Sequence, residues 1–157
     1  MNIADLISKD RVQAVTELSS KKRTLEELSA ALARAAPFLT DADVFASLVS
    51  REKLGSTGLG QGVAIPHGRM RALNESVGAF LRLGQGIDFE ASDGGPVDLI
   101  FGLLVPEDTT EEHLQILAGL AEMFTDDDFC RRLRAADDDE ALYELLAAYT
   151  LSSADHR

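Results

Sequence analysis

The run Val97-Asp-Leu-Ile-Phe-Gly-Leu-Leu-Val105 constrains this chain more than any other stretch. Only Asp98 and Gly102 interrupt its apolar side chains, and Pro106 follows at once. A strand with one wet face alternates apolar and polar residues, so a near-continuous apolar run marks a strand covered on both faces. Such a strand needs helices around it.

The rest of the chain supplies them. Ile3, Leu6 and Ile7 suggest a short amphipathic opening turn, and residues 11–15 read as a strand. Leu25, Leu28, Ala31, Leu32 and Ala35 give helical spacing over 21–36, with Pro37 marking the end. Thr40 with Asp43 resembles a capping box opening a second helix, apolar on Val44, Phe45, Leu48 and Val49. Residues 69–75 read as a polar link and 76–83 as a strand. Gly84-Gln85-Gly86 reads as a turn, Ile87-Asp88-Phe89 as a short strand or loop edge, and residues 92–96 as a turn. Beyond Pro106, Thr109 and Glu112 form another capping pattern, and its helix continues through Leu117 to Phe124. Further helices are expected over 126–134 and 137–150. Interleaved strands and helices predict an α/β class, bordering on α+β. The expected architecture is one domain over residues 1–150, a mixed sheet covered by helices, with 151–157 as a frayed tail.

The stretch Gly55-Ser-Thr-Gly-Leu-Gly-Gln-Gly-Val-Ala-Ile-Pro-His67-Gly-Arg69 concentrates the chemistry. Gly55, Gly58, Gly60 and Gly62 place four of the chain's 12 glycines within eight residues. Val63-Ala64-Ile65 reads as a buried strand that Pro66 ends, since proline donates no backbone hydrogen bond. That arrangement sets His67 at a strand end over a glycine-rich turn, where backbone N–H groups can hold an anion. The spacing is neither that of a P-loop nor that of the dinucleotide fingerprint.

His67 is therefore the candidate phosphoryl acceptor. His113, in the first turn of its helix, shares a face with Leu117, Leu120 and Phe124, and it can meet His67 if both lie at one sheet end. Arg51, Ser56, Thr57 and the loop N–H groups of Gly58, Gly60 and Gly62 are candidate phosphate donors. Each has a plainer alternative. His67 can be a structural strand-end residue and His113 a satisfied core histidine. Arg51 can simply complement the helix dipole, and Ser56 and Thr57 can be ordinary loop hydroxyls. His156 lies in the tail. Cys130 reads as core or inert surface.

The string Leu54-Gly-Ser-Thr-Gly-Leu-Gly-Gln-Gly-Val-Ala-Ile-Pro-His67-Gly-Arg69 resembles the active-site segment of enzyme IIA domains of the bacterial sugar phosphotransferase system. It is most similar to the nitrogen-regulatory branch of the fructose/mannitol/nitrogen-regulatory superfamily. Further anchors are Arg51-Glu52, Ile87-Asp88-Phe89, residues 93–97 and His113-Leu114-Gln115. The resemblance implies a mixed sheet covered by helices and a phosphotransferase component working without metal or organic cofactor. It implies that His67 accepts phosphate from a histidine phosphocarrier protein, with His113 beside it and Arg51 holding the phosphate. A regulated transporter, kinase or enzyme would be the target. The alternatives are a fructose- or mannitol-type enzyme IIA passing phosphate to a separate IIB protein, and a regulatory binding module independent of onward transfer. A zinc site on His67 and His113 finds no Cys, Asp or Glu at ligand spacing to either.

Charge and hydropathy exclude other classes. With 15 basic and 27 acidic residues the net charge is −12, which argues against a nucleic-acid surface. No apolar run is long enough to span a bilayer. Met1-Asn-Ile-Ala-Asp5 lacks the pattern of a secretion signal, and the lone Cys130 suits a reducing compartment, so a cytoplasmic protein is expected. Glu107, Asp108, Glu111 and Glu112 near His113 predict an acidic rim, which either steers a basic donor surface or, for Glu111 and Glu112 above all, serves the helix dipole and solvation.

Overall fold

The computed structural model describes residues 2–108 and 110–151, with Thr110 described by its backbone alone. Six strands form one mixed sheet: β1 (Val12–Val15), β2 (Gly58–Gly60), β3 (Val63–Ala64), β4 (His67–Met70), β5 (Val77–Ile87) and β6 (Val97–Pro106). Five helices accompany them: α1 (Lys21–Ala33), α2 (Asp41–Glu52), α3 (Thr110–Met123), α4 (Asp127–Ala135) and α5 (Asp139–Ala147). Two short 3-10 turns, Ile3–Asp5 and Lys9–Arg11, precede β1.

The apolar run is the spine of the sheet. β6 pairs antiparallel with β5 on one side, and parallel with both β3 and β4 on the other. β1 runs parallel to β5, and β2 completes the far edge against β3. Side chains of β6 alternate between two cores, as the pleat requires. Leu99, Phe101, Leu103 and Val105 pack with α3, α4 and α5. Ile100 and Leu104 pack with α1 and α2 on the opposite face. Gly102 lets Leu28 of α1 approach the strand, since a Cβ there would lie 2.8 Å from Leu28 Cδ2. The result is a three-layer sandwich.

Several expectations are corrected. β5 continues through Gly84-Gln85-Gly86, expected as a turn, with only a shift of register between Arg82 and Ile87. A Cβ on Gly86 would lie 2.8 Å from Pro96 Cβ, so this glycine serves close approach of the ribbon rather than reversal. The first two residues of the polar link expected over 69–75, Arg69 and Met70, belong to β4, an edge strand whose backbone pairing tolerates polar side chains. α1 ends at Ala33 rather than Ala36, where Arg34 N–H and Ala35 N–H fold back onto Ala31 and Leu32 carbonyls.

α2 starts as its sequence predicts, with Thr40 Oγ1 accepting from Asp43 N–H at 3.1 Å. The capping pattern at Thr109 lies outside the described residues, as do His156 and residues 152–157. Leu151, assigned to the tail, is buried and would meet a Cβ placed on Gly119 of α3. Asn2 bridges Thr150, so the first and last described segments meet.

Candidate functional site

β3 and β4 run along the same edge of β6, one after the other, and Pro66 is the break between them. Having no N–H, Pro66 leaves the ladder there, while its carbonyl still accepts from Leu103 N–H at 3.0 Å. Pro66 ends β3 as expected, and His67 stands at a strand end by opening a further strand, β4. The partner of His67 across the ladder is Leu103.

α2 delivers Arg51 to the same place. Gly68 is what lets the helix come so close: a Cβ there would collide with Ser47 Oγ and lie 3.1 Å from Ser47 Cβ. Ser47 Oγ donates instead to the Arg69 carbonyl at 3.1 Å, pinning α2 to β4. Arg51, in the last turn of α2, donates from Nη1 to Gly55 O at 2.8 Å. From the other face of the sheet, the first turn of α3 brings His113. The two imidazoles meet edge to face, with centroids 5.2 Å apart and planes at 89°.

A cavity of about 890 Å³ opens between these elements. Its polar lining is Ser47, Ser50, Arg51, His67, Arg69 and His113, with Leu54, Leu114 and Leu117 as apolar wall. Leu54 is 82% exposed and Leu114 61%, so two large apolar side chains stand at the mouth. Among the described residues no carboxylate lines the cavity, in a chain of net charge −12.

The electrostatics favour a neutral imidazole at His67. His67 Nδ1 lies 2.9 Å from the Ile65 carbonyl, which can only accept, so Nδ1 carries the proton and Nε2 holds the free lone pair. Burial depresses the His67 pKa most, and the Arg51 charge depresses it further. The Ile65 hydrogen bond and Glu52 oppose that shift without cancelling it. Burial also lowers His113, aided by His67, Arg69 and Arg51. His113 is 7% exposed, and its Nδ1 has no hydrogen-bond partner among the described residues.

The structure thus unites His67, His113 and Arg51, while the loop residues 56–62 adjoin them without lining the cavity. Ser56 Oγ donates to Phe89 O and accepts from Gly58 N–H. Thr57 gives both its N–H and its hydroxyl to Glu52, and Gln61 N–H goes to Asp93. Ser56, Thr57, Gly58, Gly60 and Gly62 do not line the cavity, and the loop's donors named here serve its own shape. Ser47, Ser50 and Arg69 take that place, and none of the three was singled out by the sequence reading. A signal existed for each. Ser47, Ser50, Arg51 and Leu54 follow helical spacing, while His67 and Arg69 share one side of a strand.

Residues 5–149 match the family described as phosphoenolpyruvate-dependent sugar phosphotransferase system, EIIA 2. The chain belongs to the EIIA 2 family. Within it, the chain is similar to the nitrogen regulatory protein of Pseudomonas aeruginosa, 49% identical over 81% of this chain and 82% of that one. It is 44% identical to the nitrogen regulatory protein of Bradyrhizobium diazoefficiens over 94% of this chain and 95% of that one. The crystal structure of nitrogen regulatory protein IIA-Ntr from Neisseria meningitidis superposes with a TM-score of 0.84 at 44% identity. It covers 92% of this chain and 98% of its own. The single-domain mixed sheet with five helices is therefore that of a phosphotransferase-system EIIA component. Among the described residues of this EIIA 2 chain, no helix is long and apolar enough to cross a membrane, and no three His, Cys, Asp or Glu gather as a metal site.

Proposed function

We propose that this EIIA 2 chain is a phosphohistidine carrier of the nitrogen-regulatory type, acting in the cytoplasm through its domain of residues 1–150. His67 Nε2 takes a phosphoryl group from a histidine phosphocarrier protein. The observation that carries this reading is the 2.9 Å contact of His67 Nδ1 with the Ile65 carbonyl, which leaves the Nε2 lone pair free on a ring that lines a cavity with no carboxylate among its described lining residues.

In the transfer, the phosphorus–nitrogen bond of the donor phosphohistidine breaks as the bond to His67 Nε2 forms. The donor imidazole leaves with the electron pair, and His67 keeps its Nδ1 proton. Arg51 and Arg69 neutralise the equatorial oxygens, and Ser47 and Ser50 supply hydroxyls at the cavity wall. His113 supports the phosphate without bonding to phosphorus. Its buried Nδ1 is a group whose desolvation a new partner would offset.

Identities of 44% and 49% to nitrogen regulatory proteins favour a signalling output, in which a transporter, kinase or enzyme reads the phosphorylation state. Incubation with a phosphoenolpyruvate-driven phosphocarrier mixture, followed by intact mass measurement, tests the reading. One phosphoryl group is expected on the wild type and none on His67→Ala. A label retained by His67→Ala would end the assignment.

A further inference from the structure

A buried carboxylate lies behind the site and takes no part in the chemistry above. Glu52 closes α2, one residue after Arg51, and its side chain is only 6% exposed. Lys21 Nζ, from the first turn of α1, donates to its Oε1 at 2.9 Å. Thr57 N–H approaches both carboxylate oxygens at 3.3 Å, and the Thr57 hydroxyl donates to Oε2. Lys21 is itself held in place, by Glu90 at 3.1 Å and over the Phe89 ring at 4.8 Å.

Thr57 passes the constraint on. Its carbonyl accepts from Ile65 N–H at 3.1 Å, and the Ile65 carbonyl accepts from His67 Nδ1 at 2.9 Å. A continuous series of contacts therefore runs from α1, through Glu52, Thr57 and Ile65, to the ring nitrogen that does not react. The series acts by placement. Thr57 fixes where Ile65 sits, and Ile65 fixes where its carbonyl points.

We propose that Glu52 is the positioning residue of the EIIA site, holding His67 in the Nδ1–H tautomer through Thr57 and Ile65, with Lys21 as its counter-ion. The inference rests on the carrier reading for its consequence, since the tautomer decides which nitrogen is free to attack. A carboxylate suits the task because it accepts several donors at once, and bonds to an ionised acceptor are stronger than neutral ones. Burying it without Lys21 would leave an uncompensated charge.

The test reads the tautomer directly, in unphosphorylated protein carrying ¹⁵N-histidine, by long-range ¹H–¹⁵N correlation. Wild-type His67 is expected as the Nδ1–H form. Glu52→Gln keeps the shape and one acceptor but weakens the hold on Thr57, so the Nδ1–H to Nε2–H ratio should fall measurably. Phosphoryl uptake at limiting donor should slow in proportion. Glu52→Ala should move both further, and Lys21→Met should move them in the same direction. A merely structural carboxylate would lower stability and leave the ratio unchanged. That result in a folded Glu52→Gln, with an unaltered amide spectrum elsewhere, overturns the proposal. Should Glu52→Gln not fold, Thr57→Val, which keeps the Lys21–Glu52 pair, decides by the same ratio. Failure of the wild type to take up phosphate on His67 would refute the carrier reading instead, and the tautomer measurement stands apart from it.

Discussion

The two imidazoles at the site share one electrostatic situation, and pH should expose it. Burial leads in lowering both His67 and His113 below the ordinary value of 6.5. Below about pH 6.5 the unfolded chain then binds more protons than the folded one, so acid weakens the fold through these two rings. Their contribution is complete above 6.5 and is lost as pH falls through the folded values. Thermal melting of wild type against His113→Gln between pH 7.5 and 5.5 checks this, the variant being expected to lose less stability on acidification. If the neutral His67 ring is the nucleophile, uptake of phosphate should likewise hold its rate to below pH 6.5. His113→Ala should still label at His67, yet release its phosphate about tenfold faster, the effect of losing one hydrogen bond to a charged group. A release rate equal to that of the wild type would remove His113 from the site.

The helix α2 and strand β4 meet through Gly68 and Ser47, and that contact sets Arg51 beside His67. Gly68→Ala should destabilise the protein by about 1–3 kcal/mol, the usual cost of overpacking a close contact. Ser47→Ala in the same chain should recover part of it, since the remaining approach would be to a Cβ at 3.1 Å. Urea denaturation of the two variants measures both quantities, and a double variant no better than Gly68→Ala would place the clash elsewhere. Much of this was legible beforehand. The apolar run of β6, the Thr40 cap and the helical spacing of α1 and α2 named their elements, because burial and capping leave local patterns. β4 left no such pattern. Its four residues, His67-Gly-Arg-Met70, owe their extended form to pairing with residues 103–106, more than thirty positions away. With β4 unread, Arg69 could not be placed next to His67. The glycine loop drew attention for the opposite reason. Its composition suits an anion site, but Glu52, Asp93 and Phe89, none of them within the loop, take up the donors of Thr57, Gln61 and Ser56.

Over the molecule as a whole, charge is arranged in two zones around the cavity. Arg51 and Arg69 are among the residues that line it, while Glu107, Asp108, Glu111 and Glu112 stand exposed and do not, Glu107 paired with Arg71 at 3.5 Å. The inner zone suits a phosphate and the outer zone suits a basic donor surface. If the outer zone steers encounter, association should slow as salt rises, since exposed charges are screened over ~10 Å at 0.1 M. Glu107→Lys with Asp108→Lys should lower the on-rate while leaving final labelling at saturating donor intact. Stopped-flow mixing at two ionic strengths measures this, and an on-rate indifferent to both changes would assign docking to Leu54 and Leu114 alone.

The three-layer arrangement gives the cavity one more property. Arg51 belongs to a helix packed on one face of the sheet, His113 to a helix packed on the other, and His67 to the strand edge between them. A phosphate lodged there would be a rivet through all three layers. Its arrival would tie together two helices packed on opposite faces of the sheet, so the news of one small anion would be written on both sides of the protein at once.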